Sequence, residues 1–421
     1  MRNRRNTRNK NKIKEILSNK NFWIISVILL AIIASSIGII SYRKYQDKIM
    51  FAQQKEELEK QTDKIFTSLE ESATNPGNSQ DTSAKISIVG DILCGKDMLE
   101  DAKVSDSYDF SNMFKDVLSY TQNADMAVGT LETNFTNGEY LGTGKYNSPI
   151  SFLSALKDTG IDMVSLAHNH ELDYGANGYN DTIKAIRDNN LSITGIKNNI
   201  ENNDSEFTGN IKSVRGIKVA FLAYTYGLSN ESELTQEEKA NANIYSEEQA
   251  KKDIDYAKKN SDYIIVIMHW GDVNNSNISQ WQENVKNYLV DNGVDMILGS
   301  HPSVIEPMEV VTNKNGQNVL IAYSLGNYIS SLKYDNADVE LILNVQIIKR
   351  ADDEKAYLKK VDYTPVFVVD NGKDSDNRFQ LENMKDLAID YANGNTEKIT
   401  REVYDKLLNK LDWLNNLIAN K

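Results

Sequence analysis

Lys85–Leu93 reads KISIVGDIL, and this short stretch sets the fold. Ile86, Ile88 and Val89 form an apolar, β-branched run that stops at Gly90–Asp91, so a strand delivers a carboxylate at its carboxyl end. The pattern recurs along the chain. Met126–Val128 leads to Glu132 in LETNF, and Met163–Leu166 leads to His168, Asn169 and His170 in AHNHELDYG. Tyr263–Met268 ends on His269 in IMHWGD, and Val294–Leu298 precedes His301 in LGSHPS. Val219–Ala223 and Val319–Tyr323 are further strand candidates. Helical stretches lie between them: Phe110–Tyr120, Asn177–Asn189, Glu247–Lys259 and Ile278–Asn292. Such alternation argues for an α/β fold whose internal strands are covered by helices on both faces.

The domain spans 85–370, long enough for one large core. Its end is marked by alternating stretches such as ELILNVQII and YTPVFVV, which suggest closing antiparallel strands. Residues 371–421 form a C-terminal helical extension, with Ile399, Val403, Leu407, Leu411, Leu414 and Ile418 at helical spacing. These residues pack on the domain or on a partner.

Upstream, Phe22–Ile40 is free of charge, and Trp23 and Tyr42 flank it. At ~1.5 Å per residue it crosses a hydrocarbon core of ~30 Å, so 22–42 is expected to be a transmembrane helix. Residues 1–21 carry eight Lys/Arg against one Glu, which puts this basic segment in the cytoplasm and the main domain outside. A cleaved signal peptide is the competing reading, although its apolar region is usually shorter. Residues 43–84 read as an extracellular stalk and linker. The stalk, 43–72, is a charged, solvated helix, and ATNPGNSQDTSA, 73–84, is the linker.

Net charge is −13, and setting aside the +7 of residues 1–21 leaves −20 for the remainder. That surface repels anionic polymers, so nucleic-acid binding is not expected. A polyanionic ligand needs a metal or a local basic patch to approach. The single cysteine, Cys94, rules out an intramolecular disulfide.

All four histidines of the chain sit in the strand-end motifs. In α/β sheets, ligands bind at the carboxyl ends of strands, so loops far apart in sequence can converge there. Carboxylate, amide oxygen and imidazole are the donors of a borderline or hard divalent ion. Singly each motif is weak: Gly90–Asp91 is equally a turn, Glu132 a helix N-terminal carboxylate, and His301 before Pro302 loop structure. Together they point to one site.

The chain resembles the CapA family of capsule and poly-γ-glutamate synthesis proteins, which have a calcineurin-like metallophosphoesterase fold. The matching pieces are Gly90–Asp91, Leu131–Glu132, Asn169–His170 with Asp173–Tyr174–Gly175, His269–Trp270–Gly271, Gly299-x-His301–Pro302 and Ser324–Ile329. The resemblance implies a four-layered α/β sandwich on a membrane anchor. It implies Asp91, Glu132, Asn169, His269 and His301 as metal ligands, Glu132 in the bridging position. It implies His170 as the group that protonates a leaving group, with Asp173 orienting it or, equally, capping the next helix. Asn327 would tie the site loops together or close a strand.

Two departures follow from the same comparison. Ile92 and Leu93 stand where the superfamily carries D-x-H, and Ser303 stands where it carries a last histidine. One strong site for a divalent ion (Mn, Zn, Fe or Mg) is therefore expected beside a weak or empty one. His168, where the family typically has Asn, serves a local structural role or compensates. Three functions fit: an anchored protein of capsule or poly-γ-glutamate biosynthesis, export or retention, an extracellular metal-dependent phosphoesterase or amidase, or a degenerate domain used only for protein contacts. The first implies a membrane, other capsule or polyglutamate synthase subunits and an anionic polymer as partners.

Overall fold

The computed structural model describes residues 34–50, 52–53, 56, 81–197, 206–373, 375 and 377–419. The strands of the two main sheets, in chain order, are β1 (Thr82–Ile92), β2 (Met126–Leu131), β3 (Met163–Ser165), β4 (Ser192–Thr194), β5 (Asn210–Val214), β6 (Ile217–Thr225) and β7 (Tyr263–His269). They continue with β8 (Met296–Ser300), β9 (Ile305–Thr312), β10 (Asn318–Leu325), β11 (Asn327–Ile329), β12 (Val339–Lys349), β13 (Tyr357–Asp370) and β14 (Phe379–Asn383). The first sheet runs β14-β13-β12-β1-β2-β3-β4, with β11 also pairing β1, and the second runs β9-β10-β8-β7-β6-β5. The site-bearing strands β1, β2 and β3 are mutually parallel, as are β6, β7, β8 and β10.

Strand alternation explains how the sheets stack. In β7, Tyr263, Ile265 and Ile267 join a core shared with Ile86, Ile88, Met126 and Val128 of the first sheet. The intervening Ile264, Val266 and Met268 face a separate core with Ala250, Ile254, Val285 and Leu289. Those last residues belong to helices α3 (Glu247–Asn260) and α4 (Gln280–Asp291), which follow α1 (Ile150–Asp158) and α2 (Gly175–Asp188) in the chain. On the first sheet, Val89, Ala127 and Val164 pack with Phe152, Leu156, Ala185 and Ile186 of α1 and α2. The result is four layers, helix–sheet–sheet–helix. Helices α1–α4 cover the outer faces only, where the continuous apolar runs predict helices on both faces. A strand buried on both faces has the same composition whether helix or sheet covers it.

Three further features refine the expected pattern. The stretch 110–120 forms two short helices, Ser111–Phe114 and Leu118–Gln122, instead of one. β14 falls beyond Asp370, and pairs with β13 from Val366 to Asp370. Helices α5 (Met384–Ala392) and α6 (Arg401–Ala419) bury Met384, Leu387, Leu407, Leu411 and Leu414 in the core between the sheets. The apolar stripe of the C-terminal segment therefore completes that core.

Most of the expected membrane-spanning stretch, residues 22–33, lies outside the described residues, as does nearly all of 51–80. Among the described residues no helix is long and apolar enough to cross a membrane. Residues 34–50 are helical, and Asp47 is buried against α6, where Arg401 donates to it at 2.9 Å.

Candidate metal centre

The sandwich brings the carboxyl ends of its parallel strands to one rim. β1 delivers Asp91, β2 is followed at once by Glu132, and the turn after β3 carries His168, Asn169, His170 and Asp173. From the other sheet, β7 ends on His269 and β8 is followed by His301. Residues up to 210 apart in sequence are thus neighbours: the His301 backbone N–H donates to Asp91 Oδ2 at 2.7 Å.

Glu132, His269 and His301 offer ligand atoms that all lie within 4.8 Å of one another, and all three residues are buried. Asn169 Oδ1 lies 2.9 Å from His269 Nε2, and Glu132 Oε1 is 3.9 Å from the same nitrogen. The other ring nitrogen, His269 Nδ1, meets Ser300 Oγ at 3.0 Å, with Asp91 Oδ1 at 3.7 Å. Ser300 thereby fixes the imidazole plane, as a partner behind a ligating histidine does. His301 adopts φ 98°, a left-handed conformation that a residue with a Cβ takes only when its surroundings impose it. Its buried Nδ1 has no hydrogen-bond partner among the described residues.

The donor set fits a divalent ion. Burial holds His269 well below the usual imidazole range and His301 down to about 4, so both rings are neutral and can ligate without losing a proton. Burial also pushes Asp91 up to about 7, against hydrogen bonds from His301 and Ser300. Glu132 is raised well above its ordinary value by burial, then by Asp91 and Asp173. Two buried carboxyls beside an orphaned ring nitrogen are costly unless a cation compensates them.

The pH dependence follows from these directions. Asp91's folded-state value lies above the ordinary 3.8, so the stability linked to it is full below about pH 4 and is lost as pH rises through about 7. His301 runs oppositely: its contribution grows as pH climbs from about 4 and is complete above the ordinary imidazole value of 6.5. From pH 6.5 to 8 the carboxyls dominate. Denaturant melts of the ion-free protein should therefore show falling stability over that window, and Mn²⁺ should restore it while releasing protons to buffer. Stability that is flat across the same window with and without Mn²⁺ would contradict this.

The remaining motif residues surround the cluster. His170 Nδ1 lies 2.9 Å from Asp173 Oδ2 and 3.2 Å from Ser229 Oγ. Tyr174, at the N-cap of α2, makes no side-chain cap bond, so Asp173 faces His170 and also accepts from Tyr146 N at 3.1 Å. His168 Nδ1 accepts from His170 N at 3.2 Å, a local tie inside the turn. Asn327 Nδ2 donates to Ser303 O at 3.2 Å, linking the SLGNYI segment to the His301 loop.

Four participants carry no motif signal. Ser300 sits inside LGSHPS, where the pattern points only to the histidine. Tyr146 lies in the short strand Lys145–Asn147 of a two-stranded hairpin, far from any of the predicted strand runs, and Tyr226 follows β6 at the same rim as the other motifs. Glu340 stands inside the apolar run of β12, fully buried, and its Oε1 accepts from Gly90 N at 2.7 Å. A charge within an apolar strand, and a polar aromatic at a strand's carboxyl end, are the signals that could have found the last two.

Comparison with known proteins gives the class. The chain belongs to the bacterial capsule synthesis protein family PGA_cap, whose model matches residues 85–332. It is 30% identical over 255 residues to the capsule biosynthesis protein CapA of Bacillus anthracis, covering 58% of this chain and 59% of that protein. It is 28% identical over 252 residues to the PGA biosynthesis protein CapA of Bacillus subtilis (strain 168), covering 58% and 62%. The match thus spans less than two thirds of either relative. Among solved structures, a 5'-nucleotidase precursor from Thermus thermophilus superposes with a TM-score of 0.43 at 14% identity, covering 79% of this chain and 59% of that one.

Proposed function

We propose that this protein serves capsule or poly-γ-glutamate biosynthesis, export or surface retention. It does so through a divalent-metal centre held by Asp91, Glu132, Asn169, His269 and His301. The observation that carries the reading is the convergence of these residues on one buried rim inside the region matched to the family. The names of the two relatives, capsule and PGA biosynthesis proteins, support this process. Mn, Zn, Fe and Mg all accept the nitrogen and oxygen donors present.

The uncharged stretch 22–42 and the basic segment before it support a single-pass anchor, with residues 85–370 outside the cell and 371–421 folded onto them. Membrane-bound synthase subunits and an anionic polymer are the partners this placement implies. The test is surface polymer in a strain carrying this chain as its sole copy. His301→Ala should reduce it at least tenfold with the protein still present in the envelope, and undiminished polymer would refute the metal-centre role.

The His170–Asp173 pair favours a second reading, hydrolysis of a phosphoester or amide. A divalent ion in such a centre polarises the substrate oxygen and lowers the pKa of bound water. Asp173 engages His170 Nδ1, which leaves Nε2 to meet the ligand. A protonated His170 would then pass its Nε2 proton to the departing oxygen or nitrogen, with Asp173 stabilising the imidazolium. His170→Ala should lower hydrolysis of bis-p-nitrophenyl phosphate by about 10²–10⁴-fold while metal content is unchanged. A wild-type protein that takes up metal yet hydrolyses neither this ester nor γ-glutamyl amides excludes the second reading and leaves the first intact.

A further inference from the structure

The rim of the centre raises a chemical question of its own. Asp91 and Asp173 both bear electrostatically on Glu132, so a ligand carrying negative charge approaches a nest of carboxyl groups. A lysine or arginine there would ion-pair with Glu132 or Asp173 and compete with the metal. The side chains that do lean on the cluster are phenols.

Tyr226 is 42% exposed, and its ring lies 4.8 Å from that of His301 and, nearly parallel at 13°, 6.3 Å from that of His269. Its backbone N–H donates to His269 O at 2.9 Å. Its phenol is within electrostatic reach of Glu132.

Tyr146 stands beside the His170–Asp173 pair. Its ring meets His170 edge-on at 4.7 Å, and its backbone N–H donates to Asp173. Its phenol is within electrostatic reach of Glu132 and of Tyr334, a ring 43% exposed at the outer edge. Each tyrosine is therefore pinned through its backbone to one of the residues that build the centre: one to His269, the other to Asp173. Such pre-set donors cost little ordering when a ligand arrives.

We propose that Tyr146 and Tyr226 are the recognition residues of this site, donating their phenolic O–H groups to the oxygens of an oxyanion, phosphoryl or carboxylate, held at the metal centre. The inference rests on the metal-centre reading above and deepens it. Neutral donors suit the place, since they bind an anion without neutralising the carboxyls that hold the cation.

The test uses the full-length chain loaded with Mn²⁺, with inorganic phosphate and γ-glutamylglutamate as separate probes. Tyr146→Phe and Tyr226→Phe keep the rings and remove only the donors. Each should weaken binding of at least one probe by about tenfold, the worth of one hydrogen bond to a charged acceptor, with Mn²⁺ affinity unchanged. Loss confined to phosphate identifies a phosphoryl ligand, and loss confined to the dipeptide identifies a carboxylate one. Wild-type affinity for both probes in both variants overturns the proposal, as does a parallel fall in Mn²⁺ affinity. A wild-type chain that takes up no Mn²⁺ overturns the metal centre as well.

Discussion

His269→Ala should abolish stoichiometric metal uptake, lowering Mn²⁺ affinity by at least about 100-fold, the upper range for losing even a supporting partner behind a ligand. His269 is the hub of the cluster. It is fully buried, faces Asn169 on one nitrogen and Ser300 on the other, and lies within 4 Å of carboxylates from two strands. Its removal leaves Glu132 and Asp91 without the one ring they share. Metal content of the purified chain, measured by plasma mass spectrometry beside a circular-dichroism check of folding, reads the result. Full metal occupancy in the variant would mean that the cation, if any, sits elsewhere.

Gly299→Ala should be the most destabilising single methyl in the molecule's rim. Gly299 is the first residue of G-S-H-P, lying in β8 next to β10. A Cβ there would stand 1.7 Å from Tyr323 O and 2.4 Å from Trp270 Nε1, atoms joined by a 2.9 Å hydrogen bond. Neither can retreat cheaply, because one is backbone in a central strand and the other belongs to a fully buried indole. Overpacking of this kind costs about 1–3 kcal/mol, and breaking the buried indole bond adds about 1–3 more. A denaturant titration should show a loss of at least about 2 kcal/mol, together with a displaced His301 loop. A loss under about 1 kcal/mol would mean that the strands separate freely here.

The sequence is most legible where physics is local. The runs that place β1, β2, β3, β6, β7, β8 and β10 are short, apolar and ended by polar motifs, and each strand contains or overlaps its predicted run. Convergence at one rim follows from parallel strands alone, so Asp91, Glu132 and the histidines could be grouped before any contact was known. What covers a strand is a long-range matter: nothing in YIIVIMH distinguishes a neighbouring helix from a second sheet. Support residues are hidden for the same reason. Ser300 looks like any serine, and Glu340 is tied to Gly90 across 250 residues. Tyr146 enters the site from a two-stranded hairpin whose strands of three residues are too short to show a periodicity.

That distant tie has a consequence for how the chain is made. β1 emerges early, yet on its second edge Thr82–Ile88 are paired only by β12, β11 reaching just Asp91 and Ile92, and the carboxylate that holds Gly90, next to Asp91, waits for residue 340. Everything between must be synthesised and, for an exported chain, translocated before the first strand is hydrogen-bonded on both sides along its length. The region shared with the family ends at 332, before that partner arrives. A truncation at that natural-looking boundary would strip the central strand of its neighbour and leave the nascent rim waiting, its edge open to the wrong strand.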